Sequence, residues 1–470
     1  MGGGWRQAAG YCLGFLALHL VLGAVIPLIG DEAYYRLWAS GLDWDYYDHP
    51  PMIAGMIRAG IAVFGDGPFG VRVVGLLAMA GASLCVADMA RTCGASPGRA
   101  VVYFNLSVLV VSVGGFATPD APSTLFWLLA TMAALRAVQG QSLGVWGPGL
   151  WGPGVRVLAW WGLAGLAAGL GIMSKFTNLF LGVGFVGWLV FSAQGRASLR
   201  GVGPYLALIA AVVPVVPLIL WNVAHDGLGF ERQFGRIAAG AYSVRHVAEY
   251  LALLVLLPGP VLGGLALRGV VRGHGLLLWS MGPVLAYFAY HALHAQVQAN
   301  WLIVVSGGVA VLAALAVQGM APLWHRLAVG SAAVLALGGM GLAFNPFAAM
   351  GTADNPPNQT RGWPDMLAQI PDTGWIATTD YTLTGQLYAR LPGRQVWAVT
   401  ELYRYGFRGS FPAELCNAPG WLIEKAGTAP AQIFDQQGPV VVLNRVFGGT
   451  VLRSYHLRQV RGVRLAGLCP

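Results

Sequence analysis

The stretch from Gly30 to Pro51 holds the densest set of groups able to take a proton or bind a charged ligand. It reads Gly-Asp-Glu-Ala-Tyr-Tyr-Arg-Leu-Trp-Ala-Ser-Gly-Leu-Asp-Trp-Asp-Tyr-Tyr-Asp-His-Pro-Pro. Five carboxylates (Asp31, Glu32, Asp43, Asp45 and Asp48) stand there with His49, four Tyr and two Trp. Only eleven Asp or Glu precede residue 345, so nearly half of them fall in these 22 positions. Asp31 and Glu32 follow Gly30 at an expected helix start, where carboxylates suit the dipole and cap free N–H groups. Glu32 is spaced to pair with Arg36 at i,i+4, and Gly41 is expected to end that helix. Asp43 and Asp45 alternate with Leu42, Trp44 and Tyr46, so they share a face where the chain is extended. His49 precedes a proline and avoids the helical region. Pro50 and Pro51 therefore present Asp48 and His49 in a fixed, extended form.

Further candidates are scattered along the chain. Asp120 lies in Thr-Pro-Asp-Ala-Pro and can either cap a helix or serve a site. Lys175 is one of two lysines in the chain and sits between two apolar segments. Snorkelling explains it simply; phosphate binding is the sharper reading. Arg232, Arg236 and Arg245 follow a Trp-Asn-x-x-His-Asp segment, and arginine's planar fork suits phosphate. Gln296–Trp301 is polar and aromatic, as interfacial anchors are. His291 and His294 share a helix face, which by itself is weak evidence for a metal. No glycine-rich phosphate loop, zinc spacing or Ser-His-Asp pattern is present.

These residues are set in an apolar chain. Of 470 residues, 56% are hydrophobic and 10% charged, with mean hydropathy +0.62; soluble domains carry about 25% charged residues. The net charge of +9 includes no basic run of the kind that grips nucleic acid, so it reads as topology and anionic headgroups. Apolar windows of membrane-spanning length fall near 8–29, 68–90, 100–116, 120–138, 157–173, 176–194, 202–223, 247–267, 275–292, 300–319 and 325–344. The first is read as a retained helix rather than a signal peptide, and 51–64 as an interfacial or re-entrant helix. With the N-terminus inside, every inner loop carries an arginine, which places the 30–51 loop and the C-terminus outside. The Gly/Pro-rich repeat at 139–155 reads as an inner linker. From about residue 345 the composition turns soluble. Strands are expected at Trp375–Thr379, Gln395–Val399 and Val440–Leu443, with helices at Tyr381–Arg390 and Pro430–Gln436. The expected architecture is thus an all-α polytopic membrane bundle of about 11 transmembrane helices (1–344) with a small C-terminal α/β domain (345–470).

The succession Asp-Glu-Ala-Tyr-Tyr, Asp-His-Pro-Pro, Thr-Pro-Asp-Ala-Pro, Ser-Lys-Phe and Trp-Asn-x-x-His-Asp resembles the bacterial membrane glycosyltransferases of the GT-C fold. Within them it is similar to the branch of the protein O-mannosyltransferases, the lipid A aminoarabinose transferase and the lipid A or core galacturonosyltransferases. The resemblance covers about residues 8–310 and continues weakly through Gly-Trp at 362–363 and Thr-Asp-Tyr at 379–381. It implies an inverting enzyme of the bacterial inner membrane with a periplasmic C-terminal domain. Such an enzyme moves a sugar from a polyprenyl-phosphate donor to a lipid or glycan acceptor. Asp31 matches the family's catalytic acidic position, as general base, with Glu32 in support. Asp48 and His49 match the pair near the carrier phosphate, where the family also has a lysine. Asp120 and Lys175 match the second acidic motif and the basic position after the fifth helix. Tyr35, Arg232, Arg236 and Arg245 complete the expected donor-binding set, and a divalent cation near Asp31 and Asp48 is compatible with it. The resemblance lacks the β-trefoil insert of the eukaryotic mannosyltransferases, which favours a lipid or glycan acceptor over a protein.

The chemistry agrees. A polyprenyl phosphate is already a leaving group, so no nucleotide-binding fold is required. Transfer needs a base for the acceptor hydroxyl and cations for the departing phosphate. Three rivals remain: a protein O-mannosyltransferase-like enzyme, a transporter or flippase of lipid-linked sugars, which usually shows paired repeats and broken helices, and a non-catalytic membrane scaffold that presents the C-terminal domain. An external C-terminal domain also makes a disulfide between Cys416 and Cys469 the expected pairing.

Overall fold

The computed structural model describes residues 2–142, 153–235, 241–343, 347, 349, 351, 354–428, 431–464, 468 and 469. The linker expected at 139–155 lies largely outside them. The chain divides into two compact units. One comprises Met1–Gly23, Trp44–Ile53 and Arg72–Gly338; the other comprises Ala24–Asp43, Ala54–Val71 and Gly339–Pro470. The acidic stretch is therefore shared: Asp31 and Glu32 belong with the C-terminal region, whereas Asp48 and His49 belong with the helical unit.

The first unit is a bundle whose helices follow the apolar windows. Among the described residues of the chain, seven helices are long and apolar enough to cross a membrane, or eight if one bent pair forms a single span. They include Pro68–Thr92, Asp120–Ser142, Pro153–Ile172 and Gly203–Ala224. The chain is a multi-span membrane protein. Several windows expected to be continuous are interrupted, among them these three. The 100–116 window breaks into Pro97–Asn105 and Val108–Val113, because the Ser107 hydroxyl caps the second piece by accepting from Val110 N. The 247–267 window becomes Val244–Leu256 and Pro260–Gly269, bent by 86° at a junction where Gly259 adopts φ +85° and Pro260 cannot continue the first helix. The 300–319 window opens with a 3₁₀ segment, Ala299–Val305, before helix Ser306–Ala316. The 51–64 segment is a helix, Met52–Phe64, too short to be counted as a span.

The second unit contains a mixed six-stranded sheet: β1 (Trp375–Thr378), β2 (Val396–Ala398), β3 (Gly420–Lys425), β4 (Phe434–Gln437), β5 (Val441–Phe447) and β6 (Thr450–Val463). The order is β2-β1-β3-β6-β4, with β5 also paired to β6. β1 runs parallel to β2 and β3, and β6 runs antiparallel to β3, β4 and β5. The helix expected at Tyr381–Arg390 has those bounds and forms the crossover from β1 to β2. Asp380 starts it, accepting from Leu383 N at 3.0 Å, and Leu383 and Leu387 pack on Ile376, Val396 and Ile423. The helix expected at Pro430–Gln436 is not formed. Phe434–Gln437 is strand β4, since Phe434 buries beside Trp375 and Val460 while its backbone pairs with β6. β3 and β6 are strands the sequence pattern did not announce. Cys416 and Cys469 are joined by a disulfide with Cα atoms 5.8 Å apart.

Candidate active site

In the second unit, helix Gly30–Trp38 carries Asp31 in its first turn. Glu32 is fully buried and turns back on its own helix, where Oε2 accepts from Ile29 N at 3.1 Å. It thereby meets one of the backbone donors that a helix start leaves open. Arg36 pairs with Asp66, not with Glu32, and its guanidinium lies 5.2 Å over Tyr388. Asp31 is half-buried, and Tyr381 donates its hydroxyl hydrogen to Asp31 Oδ1 at 3.5 Å. Tyr35 is buried in an aromatic cluster, edge-on to Trp38 at 4.8 Å and tilted against Tyr34 at 5.9 Å. Tyr34 in turn meets Tyr381 edge-on at 4.9 Å. Asp31 thus sits on a helix end fixed by packing, the condition under which a carboxylate can act as a placed base.

In the first unit, the remaining candidates gather around residues 44–53. Asp45 is buried, and its Oδ2 accepts from Asn222 Nδ2 at 2.6 Å. Asn222 Oδ1 in turn accepts from Gly229 N and Phe230 N, at 3.1 and 3.2 Å. A Cβ at Gly229 would stand 2.5 Å from Asp45 Oδ2, so only glycine lets that carboxylate seat. This node holds the acidic segment to the end of helix Gly203–Ala224 and explains the Trp-Asn part of the fifth motif. Asp48 lies 3.4 Å from Arg232 Nε, and its carbonyl accepts from Gln233 Nε2 at 2.5 Å. Arg232 also lies 5.1 Å over Tyr47. His49 is half-buried between Asp48 and Pro50.

Lys175 is not a snorkelling residue. Only 7% exposed, it donates from Nζ to Asp120 Oδ1 at 2.7 Å. Asp120 Oδ2 accepts from Asn300 Nδ2 at 3.1 Å and from the Thr118 hydroxyl at 3.2 Å. Asp120 opens helix Asp120–Ser142, and Lys175 follows helix Pro153–Ile172. Met52 N donates to Met173 O at 3.1 Å, joining the Asp-His-Pro-Pro segment to the chain two residues before Lys175. Met52 further packs with Met173, Phe176, Leu218 and Phe230. The first unit therefore brings Asp48, His49, Asp120, Lys175 and Arg232 onto one connected scaffold. Arg245 is not part of it: largely exposed, it pairs with Glu249 four residues on. Arg236 lies outside the described residues. Among the described residues no three His, Cys, Asp or Glu side chains converge as metal ligands, so no step is assigned to the cation compatible with Asp31 and Asp48.

Sequence reasoning placed Asn300 only in a polar patch and Asn222 only in the fifth motif, with no role for either. It missed Gln359 and Gln386, which hold the backbone beside Asp31. Nothing in a lone glutamine announces such a task.

Residues 48–221 match the family described as dolichyl-phosphate-mannose-protein mannosyltransferase. The chain is 27% identical over 287 residues to the lipid A galacturonosyltransferase RgtD of Rhizobium johnstonii, a match covering 58% of this chain and 57% of the relative. It is 30% identical over 329 residues to an undecaprenyl phosphate-alpha-4-amino-4-deoxy-L-arabinose arabinosyl transferase of Sodalis glossinidius, covering 60% and 55% respectively. The chain thus spans a little over half the length of these relatives. The structure of ArnT from Cupriavidus metallidurans bound to undecaprenyl phosphate superposes with a TM-score of 0.67 over the whole of both chains, at 15% identity. The chain therefore has the GT-C fold, and its resemblance to the mannosyltransferase, aminoarabinose and galacturonosyl transferase branch, first carried by five short motifs, extends to matches over 58% and 60% of its sequence.

Proposed function

We propose that the chain is an inverting glycosyltransferase that moves a sugar from a polyprenyl-phosphate donor to a lipid A-like lipid or glycan acceptor. In this reading the Asp31 carboxylate takes the proton of the acceptor hydroxyl. The acceptor oxygen attacks the anomeric carbon from the face opposite the phosphate, the carbon–oxygen bond to phosphate breaks, and polyprenyl phosphate departs as an anion. Attack from the far side inverts the anomeric centre. Lys175, Arg232 and His49 meet the charge of the departing phosphate. An ammonium has three N–H donors, so Lys175 can serve Asp120 and a phosphate oxygen together. Asp120 and Asp48 orient the two cations. Shorter apolar helices other than Met52–Phe64 also cross the bilayer, giving about eleven crossings in the bacterial inner membrane, with the C-terminal domain from residue 345 on the periplasmic side. The Cys416–Cys469 disulfide supports that side, since disulfides persist in oxidising compartments.

The observation that carries the reading is the buried Lys175–Asp120 pair, bound through Met173 and Met52 to the segment bearing Asp48 and His49. Cations and carboxylates are costly in apolar surroundings and mark function there. A protein acceptor is the second reading, favoured by the family matched at residues 48–221. The test uses the full-length chain in nanodiscs, offered undecaprenyl phosphate-linked 4-amino-4-deoxy-L-arabinose or galacturonic acid, or a nucleotide sugar, with lipid A or a Ser/Thr peptide as acceptor. Mass spectrometry should find glycosylated lipid A and free undecaprenyl phosphate with a lipid-linked donor only. Transfer from the nucleotide sugar, or donor translocation without transfer, would overturn the reading.

A further inference from the structure

The start of helix Gly30–Trp38 is gripped by two glutamines from far along the chain. Gly30 N donates to Gln359 Oε1 at 2.8 Å, and Leu28 O accepts from Gln386 Nε2 at 2.9 Å. Each amide is committed at both ends. Gln359 Nε2 donates to Asp354 O at 3.1 Å, and Gln386 Oε1 accepts from Arg390 Nε at 2.9 Å. Flipping either amide would set donor against donor and acceptor against acceptor, so one orientation satisfies each. The two grips are also joined to each other. The Arg390 guanidinium lies 5.0 Å over Trp363, whose Nε1 donates to Gln359 O at 2.7 Å. Residues 28–30 are thus closed into a ring of contacts running through Gln386, Arg390, Trp363 and Gln359.

The packing is equally tight. At Gly385, helix Tyr381–Arg390 meets the backbone of the acid-bearing helix itself. A Cβ there would stand 2.5 Å from Tyr34 N and 2.7 Å from Ala33 C. A Cβ on Gly30 would stand 3.0 Å from both Gln359 Oε1 and Thr382 Cβ. The two glutamines therefore act on a helix start that has almost no freedom to shift, one residue before Asp31.

We propose that Gln359 and Gln386 are positioning residues that set the place of the Asp31 carboxylate, which makes this part of the C-terminal region a component of the catalytic machinery. The proposal rests on the reading of Asp31 as base. A misplacement of about 1 Å at a reacting group costs on the order of a hundredfold in rate. Releasing either grip should therefore lower kcat and leave donor affinity nearly intact.

The two amides make the test specific. Gln359 must accept from Gly30 N, which a carboxylate also does, but it must donate to Asp354 O, which a carboxylate cannot do, so Gln359→Glu should recover only part of the turnover that Gln359→Leu loses. Gln386 must donate to Leu28 O, which a carboxylate cannot do, so Gln386→Glu should fail despite its matching shape. With the full-length chain in nanodiscs and the donor–acceptor pair that gives turnover above, Gln359→Leu and Gln386→Glu should lower kcat about 10- to 100-fold, with donor KM within about threefold. Amide hydrogen exchange across residues 28–34 should rise in both. Where Gln359→Leu does not fold, Gln386→Glu carries the test. Unchanged kcat in Gln386→Glu, in a chain that Asp31→Asn silences, would overturn the proposal alone. So would unchanged kcat in a Gln359→Leu chain that folds. Full turnover in Asp31→Asn would instead remove the base reading beneath it.

Discussion

Lys175 is assigned two tasks, holding Asp120 and meeting the carrier phosphate, and a double-variant cycle separates them. The pair is buried on both sides, with Lys175 7% and Asp120 3% exposed and 2.7 Å between Nζ and Oδ1. Breaking a buried ion pair by removing one partner costs about 3–5 kcal/mol, because the other charge is left uncompensated. After Lys175→Met, Asp120 keeps two neutral donors, the Asn300 amide and the Thr118 hydroxyl. Such bonds contribute about 1 kcal/mol each, so the loss should fall near the lower end, about 3 kcal/mol. Asp120→Asn strands the ammonium and should cost a similar amount. Combined with Lys175→Met it removes both charges and should return stability to within about 1 kcal/mol of the parent, since neutral replacements of buried pairs are close to neutral in energy. Thermal unfolding in nanodiscs reads this cycle. Donor titration reads the second task. A charge-assisted hydrogen bond is worth about 1.5–3 kcal/mol, so donor KM should stay roughly ten- to a hundredfold high in the double variant although stability has recovered. A double variant no more stable than Lys175→Met would refute the pair. Donor KM returning to the parent value would refute the phosphate role and leave Lys175 a structural residue.

Two further outcomes follow from the second unit. Reducing Cys416–Cys469, whose loop spans 53 residues, should destabilise the domain by about 4 kcal/mol in the chain-entropy model; non-reducing peptide mapping of membrane-extracted protein checks the bond, and free thiols at both positions would refute it. Burial alone would raise the Asp380 carboxyl, but the Lys425 ammonium at 2.6 Å, the Thr382 hydroxyl and Leu383 N outweigh it and hold its pKa below the usual value. The carboxylate therefore stabilises the fold fully above the unfolded value of about 4, and that contribution is lost as pH falls through the folded pKa. In Lys425→Met, burial prevails and acid unfolding of the domain should move to higher pH. A midpoint that stays in place, read by tryptophan fluorescence, would contradict the assignment.

What the sequence made legible follows from what each signal measures. Hydropathy windows located the apolar segments because burial in lipid is a property of composition. They were blind to the breaks at Ser107 and Gly259–Pro260, although a capping serine and a Gly-Pro pair are local signals that a window averages away. The helix Tyr381–Arg390 was read, but its Asp380 cap, a local signal of the same kind, was not. β6 was not, because its buried residues Leu452, Tyr455, Leu457 and Val460 slip phase twice and blur the alternation of a strand. Asp120 and Lys175 were each anomalous alone, one an acid beside prolines and the other a rare lysine among apolar segments. Their pairing across 55 positions is a tertiary fact. The acidic stretch read as one loop, yet its halves belong to different units, since the partners that claim Leu28 and Gly30 lie beyond residue 350 and those that claim Asp45 and Asp48 lie between 222 and 233.

The central claim is that Asp31 removes the acceptor proton in transfer from a polyprenyl-phosphate sugar. It is tested most directly by single-turnover transfer in Asp31→Asn, with donor binding measured on the same preparation. The substitution keeps the shape and the acceptor for Tyr381 but removes basicity, and a general base contributes about 10²–10⁴-fold. The account predicts donor affinity within a few-fold of the parent and a transfer rate lower by two or more orders of magnitude. A rate within a few-fold of the parent would contradict it.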